Sequence, residues 1–151
     1  MRALIQRVSA GSVEIKDNNS FAEIGRGMVI LLGIKDTDDK NDVIFTADKC
    51  CGLRIFEDKN EKMNLSVRDV DGEVLIISQF TLYGETRKGN RPSFTNAARP
   101  EYAIPLYEKF IERVSDNIGE NKVKTGEFGT MMNVKILNEG PVTVIVESKE
   151  K

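Results

Sequence analysis

At 151 residues, with 22 Lys and Arg against 24 Asp and Glu, the chain has a formal charge of −2, which excludes a globally basic nucleic-acid binder. It has no histidine, which excludes Ser-His-Asp and Cys-His catalysis because the general base is missing. A hydrophobic content of 40% and a charged content of 30% fit an ordinary globule, and the length fits a single domain over 1–151.

The opening Met1-Arg2-Ala3-Leu4-Ile5-Gln6-Arg7-Val8 is too short and too charged for a signal peptide. No apolar run approaches the roughly 18–20 residues of a membrane span. Both observations point to the cytoplasm. Residues 4–8 and 12–15 are predicted as two strands around Ala10-Gly11, Asp17-Asn18-Asn19-Ser20 as a turn, and 21–24 as a third strand. The run 28–34 lacks alternation and is expected to be a strand covered on both faces. Asp36-Thr37-Asp38-Asp39 opens a helix with apolar positions Val43, Ile44, Ala47, Cys50 and Cys51. An EF-hand pattern fails here, because position 5 is Lys40 and the central glycine is absent. The aspartates are therefore expected to cap the helix and favour its dipole. Adjacent Cys50 and Cys51 make neither a disulfide framework nor a zinc site and are expected to be reduced core residues. No metal or cofactor is expected.

Further on, 53–56 reads as a strand and 57–62 as a polar turn, while 64–70 stays ambiguous. The expected central strand is 74–82, followed by a polar loop over 84–96. A second helix is predicted over 101–116, burying Ala103, Leu106, Tyr107, Phe110, Ile111 and Val114, with Pro105 marking its start or a kink. Residues 123–125, 131–137 and 142–147 read as closing strands, and 149–151 as a fraying end. Many strands, two helices and no regular βαβ alternation predict an α+β fold. Its core is mainly antiparallel, barrel-like or two-sheet, with the two main helices packed on one side.

Two polar segments follow apolar runs. In Ser78-Gln79-Phe80-Thr81-Leu82-Tyr83-Gly84, strand alternation puts Gln79 and Thr81 on one face, an amide beside a hydroxyl. If strand pairing stops here, the Phe80 and Thr81 amides become donors for an oxyanion. The bland alternative is a strand end facing water. In Asn138-Glu139-Gly140-Pro141-Val142-Thr143, the residues alone suggest a trans turn between two strands.

Together, Ser78-Gln79-Phe80-Thr81-Leu82 and Asn138-x-Gly140-Pro141-Val142-Thr143 resemble the paired signatures of the D-aminoacyl-tRNA deacylases, in the form shared by bacteria and most eukaryotes. The resemblance runs the length of the chain. It includes Gln6-Arg7-Val8, Asn64-Leu65-Ser66-Val67, Arg91-Pro92-Ser93-Phe94, Leu106-Tyr107-x-x-Phe110 and Thr125-Gly126-x-Phe128-Gly129.

The resemblance implies hydrolysis of the ester joining a D-amino acid, or glycine on the wrong tRNA, to the terminal ribose. It also implies a homodimer in which Gly140 and Pro141, joined by a cis bond, enter the partner's pocket. There their carbonyls hold the substrate's α-amino group and exclude an L side chain, and Arg7 helps to orient the dipeptide. For the chemical step, Ser78, Gln79, Phe80 and Thr81 are the expected catalytic segment. Thr81 is either a nucleophile, which normally needs an adjacent base, or a bystander. In the second case, the favoured one, the Phe80 and Thr81 amides form an oxyanion hole and the ribose 2′-hydroxyl helps to activate water. Tyr83, Phe128 and Met132 are candidates for an adenine pocket or are core residues. Arg87, Lys88 and Arg91 contact phosphates or are a solvated loop. The expected partner is the acceptor end of D-aminoacyl-tRNA, with no membrane or DNA partner. Two other functions compete: a non-catalytic RNA-binding module and a hydrolase of small D-amino acid esters.

Overall fold

A computed structural model describes residues 1–148; the end read as fraying, 149–151, lies outside the described residues. Two long antiparallel strands organise the sheet: β1 (Arg2–Ile15) and β8 (Met132–Glu147) pair from end to end. On the other edge of β1, its first half pairs with β3 (Gly27–Gly33) and its second half with β2 (Ser20–Ile24). Beyond β3 the pairing turns parallel, to β6 (Glu73–Ser78) and then β7 (Val123–Thr125). The sheet is therefore mixed and nearly closed into a barrel. Short β4 (Phe56–Glu57) and β5 (Met63–Leu65) form a second small sheet, so most of the strand expected over 53–56 is loop.

The breaks expected near Ala10-Gly11 and across 138–141 are not breaks. Each is an irregularity within a continuous strand. Gly11 serves close packing rather than a turn, since a Cβ there would lie 3.0 Å from Cγ2 of Val29.

The unalternating strands are covered on both faces. Met28, Ile30, Leu32, Val74 and Ile76 share one cluster with Phe110 and Val114. Val29, Leu75 and Ile77 share another with Val8, Val13 and Ile24. Each such side chain contributes about 1.5–3 kcal/mol on burial.

Helices α1 (Lys40–Gly52) and α2 (Pro100–Ile118) pack on each other and over the first cluster. Asp39 caps α1 in a capping box with Asp42. Asp38 has a different task, accepting from the Met1 ammonium at 2.5 Å. Pro105 lies inside α2 at an exposed position, so the helix starts before it, at Pro100. Arg113 on α2 forks onto Asp48 on α1 at 2.7 and 2.8 Å, and Asn117 donates to the same carboxylate. These bonds, with Arg113 foremost, hold the Asp48 carboxyl below its ordinary pKa. Cys50 and Cys51 are free and buried, and burial pushes the Cys51 thiol up to about 11.

Candidate active site

The first polar segment departs from a strand sooner than its alternation predicts. The Gln79 N–H donates to the Leu32 carbonyl at 2.8 Å. β3 ends one residue later, at Gly33, so the ladder has no partner to offer Phe80. The chain instead enters a 3-10 turn, Phe80–Tyr83, closed by Leu82 N–H to Gln79 O at 3.3 Å and Gly84 N–H to Thr81 O at 2.9 Å. The first N–H groups of such a turn find no partner within it. Those groups belong to Phe80 and Thr81.

The side chains of Gln79 and Thr81 do meet, with Nε2 donating to Oγ1 at 2.5 Å. An amide cannot take a proton from the hydroxyl as a base does, so this contact orients Thr81 without activating it. Ser78 and Phe80 border a narrow cleft together with Leu32, Ile34, Ala98 and Phe128. The Phe80 ring is 51% exposed and meets Phe94 edge to face, with centroids 5.3 Å apart.

Of the three residues considered for an adenine pocket, only Phe128 borders this cleft. Tyr83 is 6% exposed, with Arg2 Cζ 4.8 Å and Lys35 Nζ 5.0 Å from its ring centre. Burial raises its phenol well above the ordinary value. Met132 is partly buried on the second core cluster, its sulfur lying over Gly126. Tyr83 and Met132 thus both make packing contacts, which their apolar character suits as well as a pocket.

The basic loop is held at its base by pairing of Glu85 with Ser93. Arg87 folds back onto Glu85 at 2.6 Å, and its hydrogen bonds pull the Glu85 carboxyl down to about 2. Lys88 and Arg91 are exposed. Arg87 and Lys88 border an open groove with Glu85, Ser93, Thr95 and Asn96.

The second polar segment is a bulge in β8. Gln6 pairs with Thr143 and Val8 with Asn138, so the single residue Arg7 stands opposite 139–142. The Gly140–Pro141 bond is cis, where the residues alone suggested trans. Asn138 closes the bulge: its Oδ1 accepts from the Val142 N–H and its Nδ2 donates to Thr143 Oγ1, both at 3.0 Å. The N-x-G-P-V-T spacing carries that clasp, whose asparagine and threonine the sequence reading left without a role. Arg7, 5% exposed, donates through Nε to the Glu139 carbonyl at 3.0 Å and through Nη1 to the Ile55 carbonyl at 2.8 Å. Gly140 has φ +132, and a Cβ there would lie 2.8 Å from Val142 Cγ2 and 3.1 Å from Arg7 Nη2. Gly140 and Pro141 themselves are exposed.

Within one chain the two segments are apart. Gln79 is bonded to Leu32, the partner of Ala3, whereas Gly140 lies opposite Arg7. Four positions along β1 amount to roughly 13 Å. In addition, β1 and β3 lie between β6 and β8.

A family model described as D-Tyr-tRNA(Tyr) deacylase matches residues 4–147. The chain belongs to that family. Proteins named D-aminoacyl-tRNA deacylase are similar throughout. One from Flavobacterium psychrophilum is 51% identical over 151 residues, covering 100% of this chain and 99% of that protein. One from Cytophaga hutchinsonii is 52% identical with the same coverage, and one from Clostridioides difficile is 49% identical over 150 residues, 99% of each. Among solved structures, a c-Myc DNA unwinding element binding protein superposes with a TM-score of 0.92 at 38% identity, covering 99% of this chain and 100% of the other. A probable eukaryotic D-amino acid tRNA deacylase, 18% identical, shares the fold with a TM-score of 0.83 over 97% of this chain and 98% of the other.

Proposed function

We propose that the chain hydrolyses the ester between a D-amino acid and the terminal ribose of tRNA, and that it treats mischarged glycyl-tRNA in the same way. The observation that carries this reading is membership of the deacylase family across nearly the whole chain. Water adds to the ester carbonyl, and the oxyanion that forms accepts from the Phe80 and Thr81 amides; its collapse breaks the acyl bond to the ribose oxygen, which leaves with a proton that came from the water. The ribose 2′-hydroxyl assists the water, because the side chain bonded to Thr81 is the Gln79 amide, which is not a base. Gly140 and Pro141 hold the α-amino group on their carbonyls and leave no room for an L side chain, which is discrimination by steric exclusion. Glycine has no side chain and passes the same filter.

The distance between the turn and the Gly140-Pro141 bulge supports a homodimer, in which each bulge completes the partner's site. Leu137 and Ile145, 62% and 58% exposed on either side of the bulge, give that face apolar surface to bury. Phe128 is the adenine-facing candidate that fits best, and Lys88 and Arg91, with Arg87, are the candidates for phosphates at the acceptor end. No helix among the described residues is long and apolar enough to cross a membrane, and a substrate made for translation supports a cytoplasmic location.

Subunit mixing tests the shared site. Phe80→Pro removes one oxyanion donor, and Gly140→Ala disturbs the bulge. Each homodimer should be inactive on D-Tyr-tRNA, whereas a refolded mixture should recover activity through the hybrid's one intact site. No recovery in a mixture shown to form hybrid dimers contradicts the cross-subunit arrangement. Parallel titrations with a free D-tyrosine ester and with the DNA unwinding element separate small-ester hydrolysis and DNA binding from this reading.

A further inference from the structure

The 3-10 turn that carries Phe80 and Thr81 is only four residues long. Turns of this type have poor hydrogen-bond geometry and leave carbonyls open at their C-terminal end. One of these, Leu82 O, accepts from Arg2 Nη1 at 2.8 Å. The same guanidinium lies over the Tyr83 ring and pairs through Nε with Glu147 on β8. The next strand wall is close as well: a Cβ on Gly33 would lie 3.2 Å from Gln79 O, Leu82 Cβ and Tyr83 Cδ2. β3 therefore supports the turn from beneath, and Arg2 fixes its far end.

We infer that Arg2 is a positioning residue for the deacylase reaction: it clamps the Leu82–Tyr83 end of the turn and so sets the direction of the Phe80 and Thr81 amides. This rests on the deacylase reading above. Arg2 touches neither substrate nor reacting atoms in that reading. Its effect falls on the geometry that meets the transition state, so it belongs in kcat rather than KM. Glu147 holds the guanidinium in its place, and Lys35 lies over the same Tyr83 ring independently of Arg2.

The test compares Arg2→Met and Arg2→Lys with wild type on D-Tyr-tRNA, with thermal melts of each. Methionine keeps an apolar stem over Tyr83 but cannot donate to Leu82 O. Lysine keeps one charged donor and the cation over the ring. Arg2→Met is expected to lower kcat about tenfold, the scale of one lost charge-assisted hydrogen bond, with KM nearly unchanged. Arg2→Lys should recover most of kcat. The amide resonances of Phe80 and Thr81 should shift in Arg2→Met while those of α1 stay in place. A wild-type kcat in Arg2→Met overturns the proposal, as does a loss that tracks the fraction unfolded or falls equally on KM. A wild-type protein that leaves D-Tyr-tRNA intact removes the deacylase reading itself, an outcome visible before any variant is compared.

Discussion

Replacing Arg7 with methionine should be among the most damaging changes available at the candidate site. The side chain is buried and ties the β8 bulge to the loop before β4 through the carbonyls of Glu139 and Ile55, at 3.0 and 2.8 Å. A hydrogen bond from a charged donor contributes about 1.5–3 kcal/mol, so the two together amount to about 3–6 kcal/mol. Removing a guanidinium also removes its desolvation cost, and methionine retains part of the packing, which leaves a net loss of about 2–4 kcal/mol. The distant contact to Glu57, 3.9 Å away and half exposed on that side, adds little. For a chain of this size each kcal/mol moves the midpoint by about 2–4 °C, so a loss of 3 kcal/mol lowers Tm by roughly 6–12 °C. Arg7→Lys should fall between the two, because one ammonium cannot reach both carbonyls. Calorimetric melts at neutral pH, with urea titrations to check that the slope is unchanged, provide the measurement. A Tm within error of wild type would show that Arg7 does not hold the bulge, and the account of how Gly140 and Pro141 are presented would fall with it.

Other outcomes follow from the same geometry. Thr81→Ala should keep substantial activity, while D-aminoacyl-tRNA ending in 2′-deoxyadenosine should be a poor substrate; normal turnover of the deoxy substrate contradicts the 2′-hydroxyl route. Thr46 Oγ1 is buried with no hydrogen-bond partner among the described residues, so Thr46→Val should stabilise the chain by about 1 kcal/mol, and a fall in the urea midpoint would disprove this. Asp48→Asn should cost about 0.5–1 kcal/mol at neutral pH, since both partners of its ion pair are some 40% exposed. The folded-state pKa of Asp48 lies below its ordinary 3.8. Its contribution is therefore complete above that value and is lost as pH falls through the lower one. A stability gap between the Asp48→Asn variant and wild type that persists unchanged into strong acid would refute the assignment.

Much of the fold was legible because it rests on local pattern. The unalternating run of β3 announced a strand buried on both faces, and Asp39 announced the start of α1. The errors arose where the outcome depends on a distant partner. Ser78-Gln79-Phe80-Thr81-Leu82-Tyr83 alternates like a strand, but Gly33 ends the neighbouring strand and leaves it nothing to pair with. Ala10-Gly11 looks like a break, but β8 pairs across it. Tyr83 reads equally as a stacking platform or a core residue, and its burial beneath Arg2 and Lys35 could not be seen in the sequence. The site's polar residues were visible as motifs. Their separation within one chain was not, because it depends on which strand each segment joins.

The most direct test of the central claim is release of amino acid from matched D-Tyr-tRNA and L-Tyr-tRNA by the wild-type protein, with Pro141→Ala alongside. The account predicts rapid loss of the D form alone, and erosion of that preference in the variant. Loss of both forms with wild type would contradict the Gly140-Pro141 filter, and loss of neither would contradict the deacylase reading.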